Sequence, residues 1–284
     1  TSHASFQGAE KVGYPDHEEL RLQWLMEIPV RTSPDRQARS PVTLPMEITS
    51  RVSVYPGIKR VDFETCITQT SDDHRVRVHF PVPFTADCAF HDGHFELVKR
   101  PVLPPLMQVD WIEQRRPEVP QRAFSDLSDG EKGLLLAACG LPEIGIQHRE
   151  NGNLEAALTL LRCVGWLSRA DFSTRKGHAG PMLATPGAQM HGTYTFSYAL
   201  IPHGSSPEQA MAAGYGFSTP LTGQVTSLHE GRLPSSGSFL DIHPDSFQVT
   251  AIKPAENRTG WIVRGFNTLD KPLQCTLQFH VPVN

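Results

Sequence analysis

The 284-residue chain sets 26 Lys plus Arg against 30 Asp plus Glu, a net charge of −4, with 39% apolar and 20% charged residues. That balance suits a globular protein with a sizeable core, and it leaves no basic field able to recruit nucleic acid or an anionic membrane surface. No apolar run approaches the about 18 residues that suggest a membrane span, and 24 prolines with 22 glycines favour many short strands joined by turns over long helices.

The chain starts at Thr1 rather than Met and shows no charged-then-apolar leader, so a piece of a longer polypeptide is expected. Residues 1–45 read as an N-terminal segment and linker. Its last part, Arg31 to Pro45, carries Pro34, Pro41 and Pro45 among charged and small residues, and proline removes ladder donors. From residue 46 onward period-2 alternation dominates. Met46, Ile48, Ser50, Val52 and Val54 share one parity, and Val61, Phe63, Thr65 and Ile67 repeat it after a turn at Pro56-Gly57. Val76, Val78 and Phe80 then alternate with Arg75, Arg77 and His79, preceded by Asp72-Asp73 as a turn. One-sided burial of antiparallel sheet produces this pattern, because successive side chains leave opposite faces.

His91-Asp92-Gly93-His94 offers two histidines and a carboxylate, but Asp-Gly is turn chemistry and no fourth ligand follows at zinc spacing. An exposed hairpin tip is expected there, and no metal site. Arg100 to Gln121, with five prolines, reads as a second connection. Asp129-Gly130 and Asn151-Gly152 supply hairpin turns. Leu154 to Val164 is ambiguous between buried strand and helix, since periodicity cannot settle a short apolar run. Tyr194, Phe196, Tyr198 and Leu200 alternate with polar neighbours, and Pro207 opens a short helix through Ala213. Ser246 to Ile252, Gly260 to Phe266 and Leu273 to Val281 read as further strands. The fold class is therefore all-β, a large antiparallel β-sandwich with few short helices.

The five cysteines, Cys66, Cys88, Cys139, Cys163 and Cys275, are odd in number and irregular in spacing, and several lie in apolar runs. That usage predicts reduced thiols in a cytoplasmic location. Neither a Gly-x-Ser-x-Gly elbow nor a phosphate-binding glycine loop occurs. The stretch that most resembles a site is Arg162 to Gln189, where an apolar run ends in a long loop bearing Arg169, Asp171, Arg175, Lys176 and His178. Long polar loops on rigid β-scaffolds carry binding groups, and guanidinium and carboxylate groups suit hydroxyl-rich ligands.

In that same loop Leu158-Thr159-Leu160-Leu161-Arg162-Cys163-Val164-Gly165-Trp166-Leu167-Ser168-Arg169, with Ala179-Gly180-Pro181 and Thr185-Pro186-Gly187-Ala188-Gln189, resembles the C-terminal region of bacterial family 38 α-mannosidases. Val61 to Thr65, Asp73 to Pro81, Phe95 to Pro101, Ser238 to Leu240 and Val249 to Glu256 follow in the expected order, so the likeness covers about residues 45–284. The resemblance implies a galactose-mutarotase-like supersandwich over residues 46–284. It also implies a larger enzyme that hydrolyses α-mannosides with retention, using zinc and two carboxylates held on N-terminal catalytic and helical domains outside this chain. Those domains and α-mannoside sugars are the expected partners, and a homo-oligomer is compatible with the pattern. By position Arg175, with Asp171 and Arg169 nearby, would be the substrate-binding residues, while catalytic residues are expected on the missing domains and the fragment is expected to be inactive. Two alternatives stay open. One is a free-standing carbohydrate-binding sandwich; the other is an independent enzyme using His191, His203 and Glu256 on a concave face.

Overall fold

A computed structural model describes residues 2–103, 111–149, 152–172, 174, 175, 177–231 and 234–280. In chain order the strands are β1 (Ser5–Gly13), β2 (Glu18–Pro29), β3 (Thr43–Val54), β4 (Val61–Gln69), β5 (Arg75–Val82), β6 (Cys88–Asp92) and β7 (Leu97–Pro101). There follow β8 (Glu118–Pro120), β9 (Phe124–Ser128), β10 (Gly133–Ala138), β11 (Glu143–His148), β12 (Leu154–Arg162) and β13 (Gly192–His203). Helix α1 (Glu208–Ser218) precedes β14 (Leu240–His243), β15 (Phe247–Pro254), β16 (Trp261–Asn267) and β17 (Thr276–Phe279).

The strands assemble as an antiparallel sandwich of unequal layers. The large sheet has the order β1-β2-β3-β4-β13-β10-β9-β6-β7 and the small one β5-β12-β11-β8. Between them lies the main core, including Ile48, Ile67, Val76, Leu136, Ile144, Leu154, Leu158 and Tyr198. Gly57 and Gly130 take φ of +78° and +97° at their turns, a region that costs a β-carbon dearly.

Segments without clean alternation are buried on both faces. In β10, Leu136 and Ala138 face the main core, while Leu135 and Ala137 meet Ala210, Met211 and Tyr215 of α1 on the sheet's other side. In β12, Leu154, Ala156 and Leu158 enter the core and the ambiguous run resolves as strand. Its opposite face carries Ala157, fully buried beneath a layer of long polar side chains. Arg75 reaches over to Glu118 (2.7 Å) and Glu143 (3.2 Å), and Arg77 lies above Gly145. Small residues on the two middle strands let the guanidinium groups lie flat across the sheet.

Four expectations need correction. Residues 5–29 are not a linker, because β1 and β2 are full members of the large sheet, with β2 in register on β3 from Glu18↔Val54 to Pro29↔Thr43. The connection proper is shorter than read, since β3 already begins at Thr43. His91 and Asp92 are not an exposed tip: both are buried at the end of β6, and Asp92 accepts hydrogen bonds from Tyr215 Oη (2.6 Å), Arg122 Nε (3.0 Å) and the Ala123 amide (3.0 Å). Within the expected strand Leu273 to Val281, only Thr276–Phe279 pairs, on β14 in an exposed ribbon, and Val281 lies outside the described residues.

Candidate functional site

Three connections meet at one end of the sandwich: residues 30–42 between β2 and β3, 70–74 between β4 and β5, and 163–191 between β12 and β13. Their base is tied by one side chain. Gln189 donates from Nε2 to Asp73 Oδ1 (2.8 Å) and accepts from the Asp73 amide through Oε1 (2.9 Å). Asp73 sits at φ +59°, a conformation that aspartate tolerates, and its other oxygen faces the Thr32 amide at 3.4 Å. Arg39 donates to the carbonyls of Pro29, Asp72 and Asp73, so the first connection is held to the second. Gln69 Nε2 donates to the Gln189 carbonyl (3.0 Å) and meets Cys163 Sγ (3.2 Å). Burial pushes the Cys163 thiol up to about 11, which makes it a packing group rather than a nucleophile.

Above this base the predicted residues appear in two places. Arg169 and Asp171 form a bidentate pair, with Nε and Nη2 each 2.8 Å from a carboxylate oxygen, and Arg36 adds a contact at 3.3 Å. The Arg169 guanidinium holds the Asp171 carboxyl at about 2 and itself lies 5.4 Å from the Phe172 ring centre. Arg175 is engaged elsewhere: its Nη1 donates to Glu113 Oε2 (2.7 Å), and the Gln114 amide donates to the Thr174 carbonyl (2.8 Å). The Arg175 Nε is buried and has no hydrogen-bond partner, leaving one donor uncommitted. Lys176 lies outside the described residues. Arg169 and Asp171 are thus brought together, and no contact joins Arg175 to either.

Sequence reasoning missed Arg36, Arg39 and Glu113. Each acts across more than thirty residues of chain, and their proline-rich surroundings announced only connections. His74 at the same end is held neutral, its pKa pushed down mainly by burial, and its Nε2 has no partner. Among the described residues no three or more His, Cys, Asp or Glu side chains are arranged to hold a metal ion. The residues of the independent-enzyme alternative are scattered: His191 pairs with Asp72 (2.7 Å), His203 with Asp126 (2.8 Å), and Glu256 lies in the β15–β16 turn.

Beside this end opens a groove of about 980 Å³. Its floor is the inner face of β2, β3 and β4, where Trp24, Ile28, Ile48, Val52, Phe63 and Ile67 are reached from the open side, and its wall is β5. β5 pairs only with β12, so its other edge has no strand partner among the described residues.

Residues 20–166, just over half of the chain, match the family described as "Glycosyl hydrolases family 38 C-terminal domain", and residues 246–284 match "Glycosyl hydrolases family 38 C-terminal beta sandwich domain". A Halalkalibacterium halodurans protein named "Putative mannosylglycerate hydrolase" is 30% identical over 257 residues, which is 88% of this chain and 25% of that protein. Two solved Enterococcus faecalis structures superpose on 97% of the chain. One is a glycosyl hydrolase family 38 protein (TM-score 0.81, 27% identity, 32% of its length), and the other is an alpha-mannosidase from strain V583 (0.80, 28%, 31%). The chain therefore spans about a quarter to a third of the length of these relatives. On the strength of the matched residues, this chain belongs to glycosyl hydrolase family 38 and carries its C-terminal β-sandwich region.

Proposed function

We propose that the chain is the C-terminal part of a retaining, zinc-dependent α-mannosidase, and that it supports the catalytic domain and helps shape the sugar cleft. The supporting observation is the superposition on an alpha-mannosidase over 97% of this chain but only 31% of that one. The rest of the enzyme would hold the zinc and both carboxylates, since retaining hydrolysis needs nucleophile and acid/base in one site. On this reading the open groove beside β5 receives polypeptide of the same enzyme. Five unpaired cysteines fit a cytoplasmic setting.

In this chain the contribution to substrate would come from the β12–β13 loop. The Arg175 guanidinium offers sugar hydroxyls a charged donor, positioned through Glu113, while Arg169 and Asp171 brace the loop as a planar pair. Two measurements test the reading. The isolated chain should not turn over an aryl α-mannoside with or without added zinc, whereas the longer enzyme should. In the longer enzyme, Arg175→Met should lower kcat/KM by about 10- to 100-fold, the loss of one charged hydrogen bond to substrate. Zinc-dependent turnover by these 284 residues alone, or an Arg175→Met enzyme with unchanged kcat/KM, would refute it.

A further inference from the structure

A second, much smaller cavity of about 40 Å³ lies where β6 and β7 approach β8 and β11. Arg100, Arg115, Arg116 and His91 line it, over Val102 and Ile146. Arg100 pairs across the sheet with Ala89, which is buried in the main core, so both side chains leave the inner face of the large sheet. The Arg100 Nη1 is buried without a hydrogen-bond partner. No ion pair engages Arg100, Arg115 or Arg116 among the described residues, and no lining residue is acidic. The described carboxylates nearest Arg115 and Arg116 in sequence are spent elsewhere, Glu113 on Arg175 (2.7 Å) and Glu118 on Arg75 (2.7 Å) and Arg77 (3.4 Å). His91 cannot balance the charge. Its Nδ1 lies 2.6 Å from Ser125 Oγ, and burial, with Arg100 nearby, holds its pKa at about 4.

Three arginines thus line one small, partly open cleft that has no acidic lining residue among the described residues, and one buried guanidinium nitrogen, that of Arg100, lacks a partner there. Burying an unpaired guanidinium is costly, and an anion held by several such groups offsets that cost through short, charge-assisted bonds. The geometry points to a binding site for a small oxyanion, the carboxylate or phosphate group of a metabolite. The size agrees: one water needs about 10–15 Å³ on this measure, so about three heavy atoms fit within, and a tetrahedral group can project from the mouth. A plainer account exists for Arg100 alone, because β7 is an edge strand and an inward charge discourages edge-to-edge pairing. It leaves the convergence of Arg115 and Arg116 unexplained.

The site is independent of the mannoside reading and can be tested on this chain. Phosphate, sulfate and acetate are titrated by calorimetry at fixed ionic strength set with chloride, while the His91 ring resonances are followed. Saturable binding with a shift at His91 is expected, and the acetate and phosphate arms identify which oxyanion is preferred. Arg115 and Arg116 are exposed, so the double variant Arg115→Gln/Arg116→Gln should fold and bind about tenfold or more weakly. Arg100→Gln should weaken binding likewise. Absence of saturable binding, or binding that neither variant alters, would overturn the proposal.

Discussion

Tyr215→Phe isolates one hydroxyl at the joint between helix and sheet. Tyr215 packs edge-on against Phe124 at 5.0 Å, and its Oη donates to Asp92 Oδ1 at 2.6 Å. Burial, reinforced by Asp92, pushes the Tyr215 pKa well above its ordinary value, so the hydroxyl is a fixed donor. Phenylalanine keeps the ring contact and removes only that donor. A hydrogen bond to a buried charged group contributes about 1.5–3 kcal/mol, and for a chain of this size the loss should lower Tm by about 3–6 °C. Asp92→Asn should be worse, at about 3 kcal/mol or more, because one amide oxygen cannot serve the three donors Tyr215, Arg122 and Ala123. The double variant should cost less than the sum, since both changes remove the same contact. Urea unfolding followed by tryptophan fluorescence and circular dichroism measures all three. A Tyr215→Phe loss below about 0.5 kcal/mol, or strict additivity, would refute the reasoning.

Three further substitutions probe charge. The Asp171 carboxyl, held at about 2 by Arg169, should remain ionised at pH 3, and Arg169→Gln should move its midpoint up towards the ordinary aspartate value in a carboxyl-carbon NMR titration. Its contribution to stability is present above the unfolded pKa and lost as pH falls through about 2, so the variant should lose acid tolerance only in that window. His203 is raised above its ordinary value, chiefly by its hydrogen bond with Asp126, so its contribution is full below the unfolded pKa and declines as pH rises through the folded one. His203→Gln should flatten stability across that range. Gly133→Ala should do the same while destabilising by about 1–3 kcal/mol, because a methyl there overlaps the His203 ring across the β10–β13 pair.

Strands with one wet face were legible from alternation, as in β3, β4, β5 and β13. The strand β2 carries the same signal in Leu20, Leu22, Trp24, Met26 and Ile28, interrupted once by Leu25 at the opposite parity and followed directly by the proline-rich stretch that reads as a linker. β12 could not be decided, because a strand buried on both faces loses its period, and the cover on its outer face is supplied by Arg75 and Arg77 from another strand. The site divided in the same way. Arg169 and Asp171 are two residues apart, and their pairing could be guessed. Glu113, which engages Arg175 from 62 residues away, and Asp92, which waits for Tyr215 123 residues later, depend on topology that no local pattern encodes.

The overhang of nine strands beyond four has a mechanical consequence. With strands spaced about 4.8 Å apart and layers about 10 Å apart, the groove beside β5 lies where one further strand of the small sheet would run. A ribbon of that width would continue the ladder of Arg75–Val82 and roof Trp24 and Ile28 in one move. Once it is laid down, damage to that remote stretch would be felt here as a loosened sandwich.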